Sequence, residues 1–160
     1  VIFVTVGSQM AFDRLVGAVD DWAESRRPGV DIFAQIGPST YQPRALRHAH
    51  ALTPAEFNAA VARADIIVAH AGMGSVLTAL EMGKTLVLMP RRGDLQETRN
   101  DHQIATARWL GERPGIHVAM DETELDAALT AALAAARRNA TISAYASPSL
   151  IEAVRRFVAA

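Results

Sequence analysis

Cysteine is absent from all 160 residues. A disulfide, a thiolate nucleophile and a zinc–sulfur site are therefore excluded, and a reducing compartment is compatible with the chain. No apolar run approaches the roughly 20 residues that cross a bilayer. The runs over 1–4, 66–69 and 86–89 have the length of strands. No basic segment followed by a long apolar one marks a signal peptide. An excess of charge is missing as well. With 16 Lys+Arg against 17 Asp+Glu the net charge is −1, which gives no electrostatic basis for non-specific nucleic-acid binding. Lysine is scarce, Lys84 being the single one, and with the many alanines this reads as genome composition. The sequence opens at Val1 rather than methionine, which implies that an initiator or a longer N-terminal part has been removed or omitted.

What is present has a globular balance, 50% hydrophobic and 21% charged. The length suits one domain, residues 1–160, of the usual size of about 100–200 residues. Short β-rich runs alternate with stretches of helical periodicity. Residues 1–6 are β-branched or aromatic and end at Gly7, which predicts a buried strand. Phe12, Leu15, Val16, Val19 and Trp22 predict an amphipathic helix over 12–25, stopped by Pro28-Gly29. A second strand is expected over 30–36, then a loop over 38–50 with a short strand near 50–52. Thr53-Pro54-Ala55-Glu56 supplies an N-cap, a first-turn proline and an acid, and starts a helix to about Arg63. A strand over 65–69, a helix over 73–82 and a strand over 85–89 follow. A polar loop over 91–98 leads to a helix over 100–110 with Gly111 as C-cap. A strand over 116–119 precedes a helix over 121–138 that begins with acids and ends with arginines, complementing its dipole. Ser147-Pro148 starts a last helix, at about 148–158. Strands alternating with helices imply an α/β fold, a Rossmann-like doubly wound parallel sheet of about six strands.

Ligands of such sheets bind outside the carboxyl ends of the strands, and three junctions there carry chemistry. Gly7 and Ser8 follow the first strand and can turn backbone N–H groups toward an anion. His70-Ala71-Gly72-Met73-Gly74-Ser75 joins a strand to a helix whose glycines bare its first-turn amides, a place where phosphate is stabilised by hydrogen bonds and the helix dipole. Thr78 shares the helix face of Gly74 and Ser75 and suits a ribose hydroxyl. The competing explanation of these glycines is tight helix–strand packing. The third junction runs from Pro90 into Asn100-Asp101-His102-Gln103, hydrogen-bonding groups suited to a polyhydroxylated ligand or, for Asn100 or Asp101, to capping a helix. Neither a G-x-G-x-x-G fingerprint nor a Walker loop is present, which argues against a dinucleotide and a nucleoside-triphosphate hydrolase.

Taken together, residues 64–75, Gly83-Lys84-Thr85-Leu86-Val87-Leu88-Met89-Pro90 and Asn100-Asp101-His102-Gln103 resemble the C-terminal, donor-binding domain of glycosyltransferase family 28. The segments 3–9, 12–16 and Gln35-Ile36-Gly37 match the same pattern, so the resemblance covers roughly residues 1–120. It is nearest to stand-alone halves: the small subunit of bacterial split exopolysaccharide transferases and the catalytic subunit of the two-subunit dolichol-linked N-acetylglucosamine transferase.

The resemblance implies one half of a GT-B fold that holds a UDP-sugar as substrate, with no cofactor and no required metal. It implies that Gly7, Ser8, His70, Gly72, Met73, Gly74 and Ser75 meet the diphosphate, that the chain at Leu52 and Thr53 meets uracil through its backbone, and that Thr78 lies at the ribose. Many members carry an acid at that last position; a hydroxyl makes weaker hydrogen bonds. Asn100, Asp101, His102 and Gln103 would meet the sugar. Glu97 and His102 are the local candidates for a catalytic base, whose usual place is the other half of the fold. The expected activity is inverting transfer from a UDP-sugar to a lipid-linked acceptor in surface polysaccharide synthesis. A membrane-associated, acceptor-binding partner subunit would hold this chain at the inner face of the cytoplasmic membrane, with no direct span and no nucleic acid. The alternatives are a non-catalytic nucleotide- or sugar-binding regulatory module and, last, an NAD-dependent oxidoreductase.

Overall fold

The computed structural model describes residues 1–26, 29–139 and 148–159. Six strands, β1 (Ile2–Thr5), β2 (Ile32–Gln35), β3 (Arg47–Ala49), β4 (Ile66–His70), β5 (Thr85–Met89) and β6 (Ile116–Val118), form one parallel sheet in the order β3-β2-β1-β4-β5-β6. The helices are α1 (Asp13–Ser25), α2 (Pro54–Arg63), α3 (Met73–Glu81), α4 (His102–Leu110), α5 (Leu125–Asn139) and α6 (Pro148–Ala159). This is the Rossmann-like α/β architecture that the alternation of strands and helices predicts.

Both faces of the sheet are buried, and the pleat divides their side chains. Ile2, Val4 and Val6 join Leu15, Val16 and Val19 of α1 and Leu129 and Ala132 of α5 in one core. Phe3 and Ile67 face the other way and join Val76 and Leu80 of α3, Leu110 of α4 and Val154 of α6. Register is fixed by the same alternation, with Val4 opposite Ala34 on one side and Val68 on the other. The chain leaves β1 and β4 in opposite directions across the sheet, so their carboxyl ends form a switch point where a crevice opens.

Several boundaries differ from expectation. The predicted short strand near 50–52 lies instead at Arg47–Ala49, an edge strand paired with β2 through Phe33 and Arg47. Its exposed Arg47 and His48 give no apolar alternation to read. The second strand is shorter than 30–36 at both ends. The fourth helix begins at His102 rather than at residue 100. Asn100 Oδ1 accepts from the His102 N–H (3.0 Å) and Asp101 Oδ1 from the Gly93 N–H (3.0 Å), which holds the preceding residues in a turn. The helix expected over 121–138 is two pieces. Asp121 Oδ1 accepts from the Thr123 N–H and caps a short 3₁₀ turn, Glu122–Glu124, before α5 starts at Leu125. Gly111 stands at the C-cap with φ −62°, a conformation open to any residue. The first helix ends at Ser25, with Arg26 as its C-cap. The proposed stop at Pro28 and the helix start at Ser147 lie outside the described residues.

Candidate active site

Two adjoining clefts open at the carboxyl ends of the strands and share Gly7, Ser8 and Ser75. The larger, of about 730 Å³, is walled by Thr5, Gln35, His50, Leu52, Asn58 and Thr78 among others. The smaller, of about 320 Å³, is walled by His70, the Gly72–Ser75 turn, Arg91, Thr98 and Gln103. No acidic side chain lines either one. Among the described residues no group of three or more His, Asp or Glu side chains could hold a metal ion.

The floor of the smaller cleft is the start of α3. Its N-cap, Gly72, makes no side-chain capping bond, and Val76 is the first residue whose N–H reaches back to Gly72 O (3.2 Å). The preceding first-turn amides have no intrahelical acceptor, which leaves donors and the positive end of the dipole facing the cleft. A Cβ on Gly74 would meet nothing within 4 Å, so tight packing is not what this glycine serves. Gly72 is different: a Cβ there would stand 2.1 Å from His70 Nε2. Gly7, at φ +77°, also lies against this ring, its Cβ position 3.1 Å from His70 Cε1. The imidazole therefore occupies space that side chains at these two glycines would need. Burial first, and the Arg91 charge second, push its pKa down to about 4, against a smaller upward effect of the Thr5 backbone. The ring is neutral near pH 7, and its enclosed Nδ1 has no partner of hydrogen-bonding geometry.

Thr78 lines the larger cleft on the face of Ser75, as its spacing predicts, and its hydroxyl donates to Gly74 O (3.0 Å). Leu52 also lines this cleft, whereas the Thr53 side chain is committed to the α2 capping box with Glu56. Gln103 lines the smaller cleft, and its Oε1 accepts from the Arg91 N–H (3.1 Å). Asn100, Asp101 and His102 lie exposed on the loop and at the start of α4 and line neither cleft. Glu97 is held in place. Its Oε1 accepts from Arg14 Nε (2.7 Å), and its Oε2 accepts from the other arm of that guanidinium (2.9 Å) and from the Arg92 N–H (2.9 Å). This bidentate pair, with Glu122 also on Arg14, raises the Arg14 pKa despite burial and occupies both carboxylate oxygens of Glu97.

Two side chains that sequence reasoning left without a role organise the clefts. Gln35 is buried at the end of β2; its Oε1 accepts from the Thr5 hydroxyl (2.7 Å), and its Nε2 donates to Gly7 O (2.9 Å) and His50 O (3.1 Å). It thereby ties the turns after β1 and β3 together. An amide closing an otherwise apolar strand was the available signal. Arg91, separated from buried β5 by Pro90 alone, is itself only 3% exposed and reaches the turn after β1. A charged residue just past the proline that ends a buried strand was the signal there.

The sequence matches the model of the glycosyltransferase family 28 C-terminal domain over residues 1–155. No curated protein sequence matches it. Among solved structures, a glycotransferase of kitacinnamycin superposes with a TM-score of 0.63 at 18% identity, over 88% of this chain and 37% of that one. MurG of Acinetobacter baumannii gives 0.60 at 18% identity, over 96% and 49%. The spinosyn forosaminyltransferase SpnP gives 0.54 at 17% identity, over 96% and 43%. The chain thus spans less than half the length of each of these structures.

Proposed function

Because this chain belongs to the glycosyltransferase family 28 C-terminal domain family, with the Rossmann-like sheet of a GT-B transferase domain, we propose that it is the donor-binding half of a UDP-sugar-dependent transferase. The observation that carries this reading is the acid-free pair of clefts around the bare start of α3. In this reading the larger cleft takes the nucleoside and the smaller one the diphosphate. As the acceptor hydroxyl attacks the anomeric carbon and the bond to UDP breaks, negative charge gathers on the leaving diphosphate. The α3 amides and neutral His70 are fixed donors for that charge and need no rearrangement as it grows.

Neither cleft is lined by a carboxylate that could act as base, and Glu97, which lines neither, is paired with Arg14. The acceptor and its activating base are therefore assigned to a partner half, membrane-associated and at the cytoplasmic face, with a lipid-linked acceptor in polysaccharide synthesis. No described helix is long and apolar enough to cross a membrane. The lack of a free base equally favours a second reading, a nucleotide-binding module without transfer. Chemical-shift mapping with UDP tests what both readings share. The expected result is movement of the Gly72–Ser75 amides together with Gly7 and Leu52. No change at millimolar UDP, or changes only at the amino ends of the strands, would refute both.

A further inference from the structure

The strongest unassigned feature is the charge of Arg91. Its guanidinium is buried and makes four hydrogen bonds, all to backbone carbonyls: Val6 O (2.6 Å), Met10 O (2.7 Å), Ala11 O (2.7 Å) and Glu97 O (3.0 Å). One face of the group lies over the Phe12 ring, 4.8 Å from its centroid. Carbonyl dipoles satisfy the donors of the two terminal nitrogens, but they do not cancel a full positive charge. The nearest acid, Glu97, spends its carboxylate on Arg14 and the Arg92 N–H. Burying a cation without a hydrogen-bonded carboxylate is costly. An anion in the acid-free smaller cleft, which Arg91 helps to line, would offset that charge.

The four carbonyls also say what the side chain holds. They belong to the end of β1, the turn that runs from it into α1, and the loop after β5. In the sheet β4 lies between β1 and β5, so Arg91 fastens together the two segments that flank the strand end bearing His70. We infer that Arg91 is a positioning residue for an anionic diphosphate: it sets the walls of the smaller cleft and gives that cleft its positive charge. This rests on the proposed nucleotide reading for the identity of the ligand, but not for the presence of an anion.

The test is calorimetry of the full chain and its variants with UDP, uridine and inorganic pyrophosphate. Arg91→Met keeps bulk and removes charge. It is expected to weaken UDP and pyrophosphate about tenfold or more while leaving uridine unchanged. Arg91→Lys keeps the charge as a point without the planar fork. It is expected to retain much of the preference for UDP over uridine, while amide signals of residues 7–12 shift. A folded Arg91→Met chain with wild-type UDP affinity would overturn the inference and leave the nucleotide reading standing. So would equal losses for UDP and uridine, which would make Arg91 a structural staple alone. If Arg91→Met does not fold, Arg91→Lys decides: loss of the whole UDP preference would overturn the role of charge. Pyrophosphate binding that depends on Arg91, in a chain indifferent to UDP and uridine, would keep the inference and remove the nucleotide reading. A wild-type chain that binds none of the three would remove both.

Discussion

His70 illustrates how a single side chain couples site to stability. In the folded chain burial and the Arg91 charge hold its pKa at about 4, whereas the unperturbed imidazole titrates near 6.5. Between these values the unfolded chain binds a proton that the folded chain refuses. Stability is therefore expected to fall as pH drops from about 6.5 to about 4, by about 3 kcal/mol across the whole window, and to feel no further effect from this group below it. Urea unfolding of wild type and His70→Gln across that window checks it; equal pH slopes in the two proteins would contradict the assignment. At this scale the sequence was informative where chemistry is carried by the backbone. The glycines and His70 stand together in one short stretch, and their spacing announces a bare helix start. Gln35 and Arg91 were harder to read because their roles come from partners far along the chain, Gly7 and His50 in one case, Val6 and Met10 in the other. Spacing within one segment cannot encode such contacts.

Among the elements, α3 depends on a helix far along the chain for its support. α6 packs Val154, fully buried, against the core that contains Val76 and Leu80, and stacks Phe157 on Trp109 of α4 with ring centroids 5.1 Å apart. Arg155 closes the contact to Glu81 at the end of α3 (2.6 Å). Trimming Val154 to alanine is expected to cost about 2 kcal/mol through lost burial and a residual cavity. Hydrogen exchange should then quicken in α3 and α6 before it does in β1 or β2. Unchanged α3 protection would show that the two helices are not coupled. The apolar spacing of both helices was legible in the sequence, but their contact was not. The edge strand β3 was misplaced for a related reason: what makes residues 47–49 a strand is pairing with β2, not a pattern of their own. The loop before it is likewise pinned from elsewhere. Buried Asp20 of α1 accepts from the Arg44 and Ala45 N–H groups and from the Tyr41 hydroxyl, and these bonds with the Arg44 charge lower its pKa against the upward pull of burial.

As a whole molecule, the chain presents one sheet with its clefts open along the carboxyl edge. It spans less than half the length of the transferases it superposes on, and the described residues form one wall along that edge. Under the proposed donor-binding role, a cleft walled on one side would leave water beside the anomeric carbon and no group to orient the acceptor. Transfer by the isolated chain is therefore expected to be negligible, and to rise at least about a hundredfold when a partner half is added. Full activity from the isolated monomer would refute this, and binding without transfer in the mixture would favour the non-catalytic reading. The strand order has a consequence of another kind, for synthesis on the ribosome. β1 is translated before the other strands, yet it belongs between β2 and β4, and β4 begins only at Ile66. At roughly 5–20 residues per second, its apolar side chains wait several seconds for their second neighbour. Until then one of its edges has no strand to pair with, so the nascent chain passes through a period in which association with other chains competes with folding.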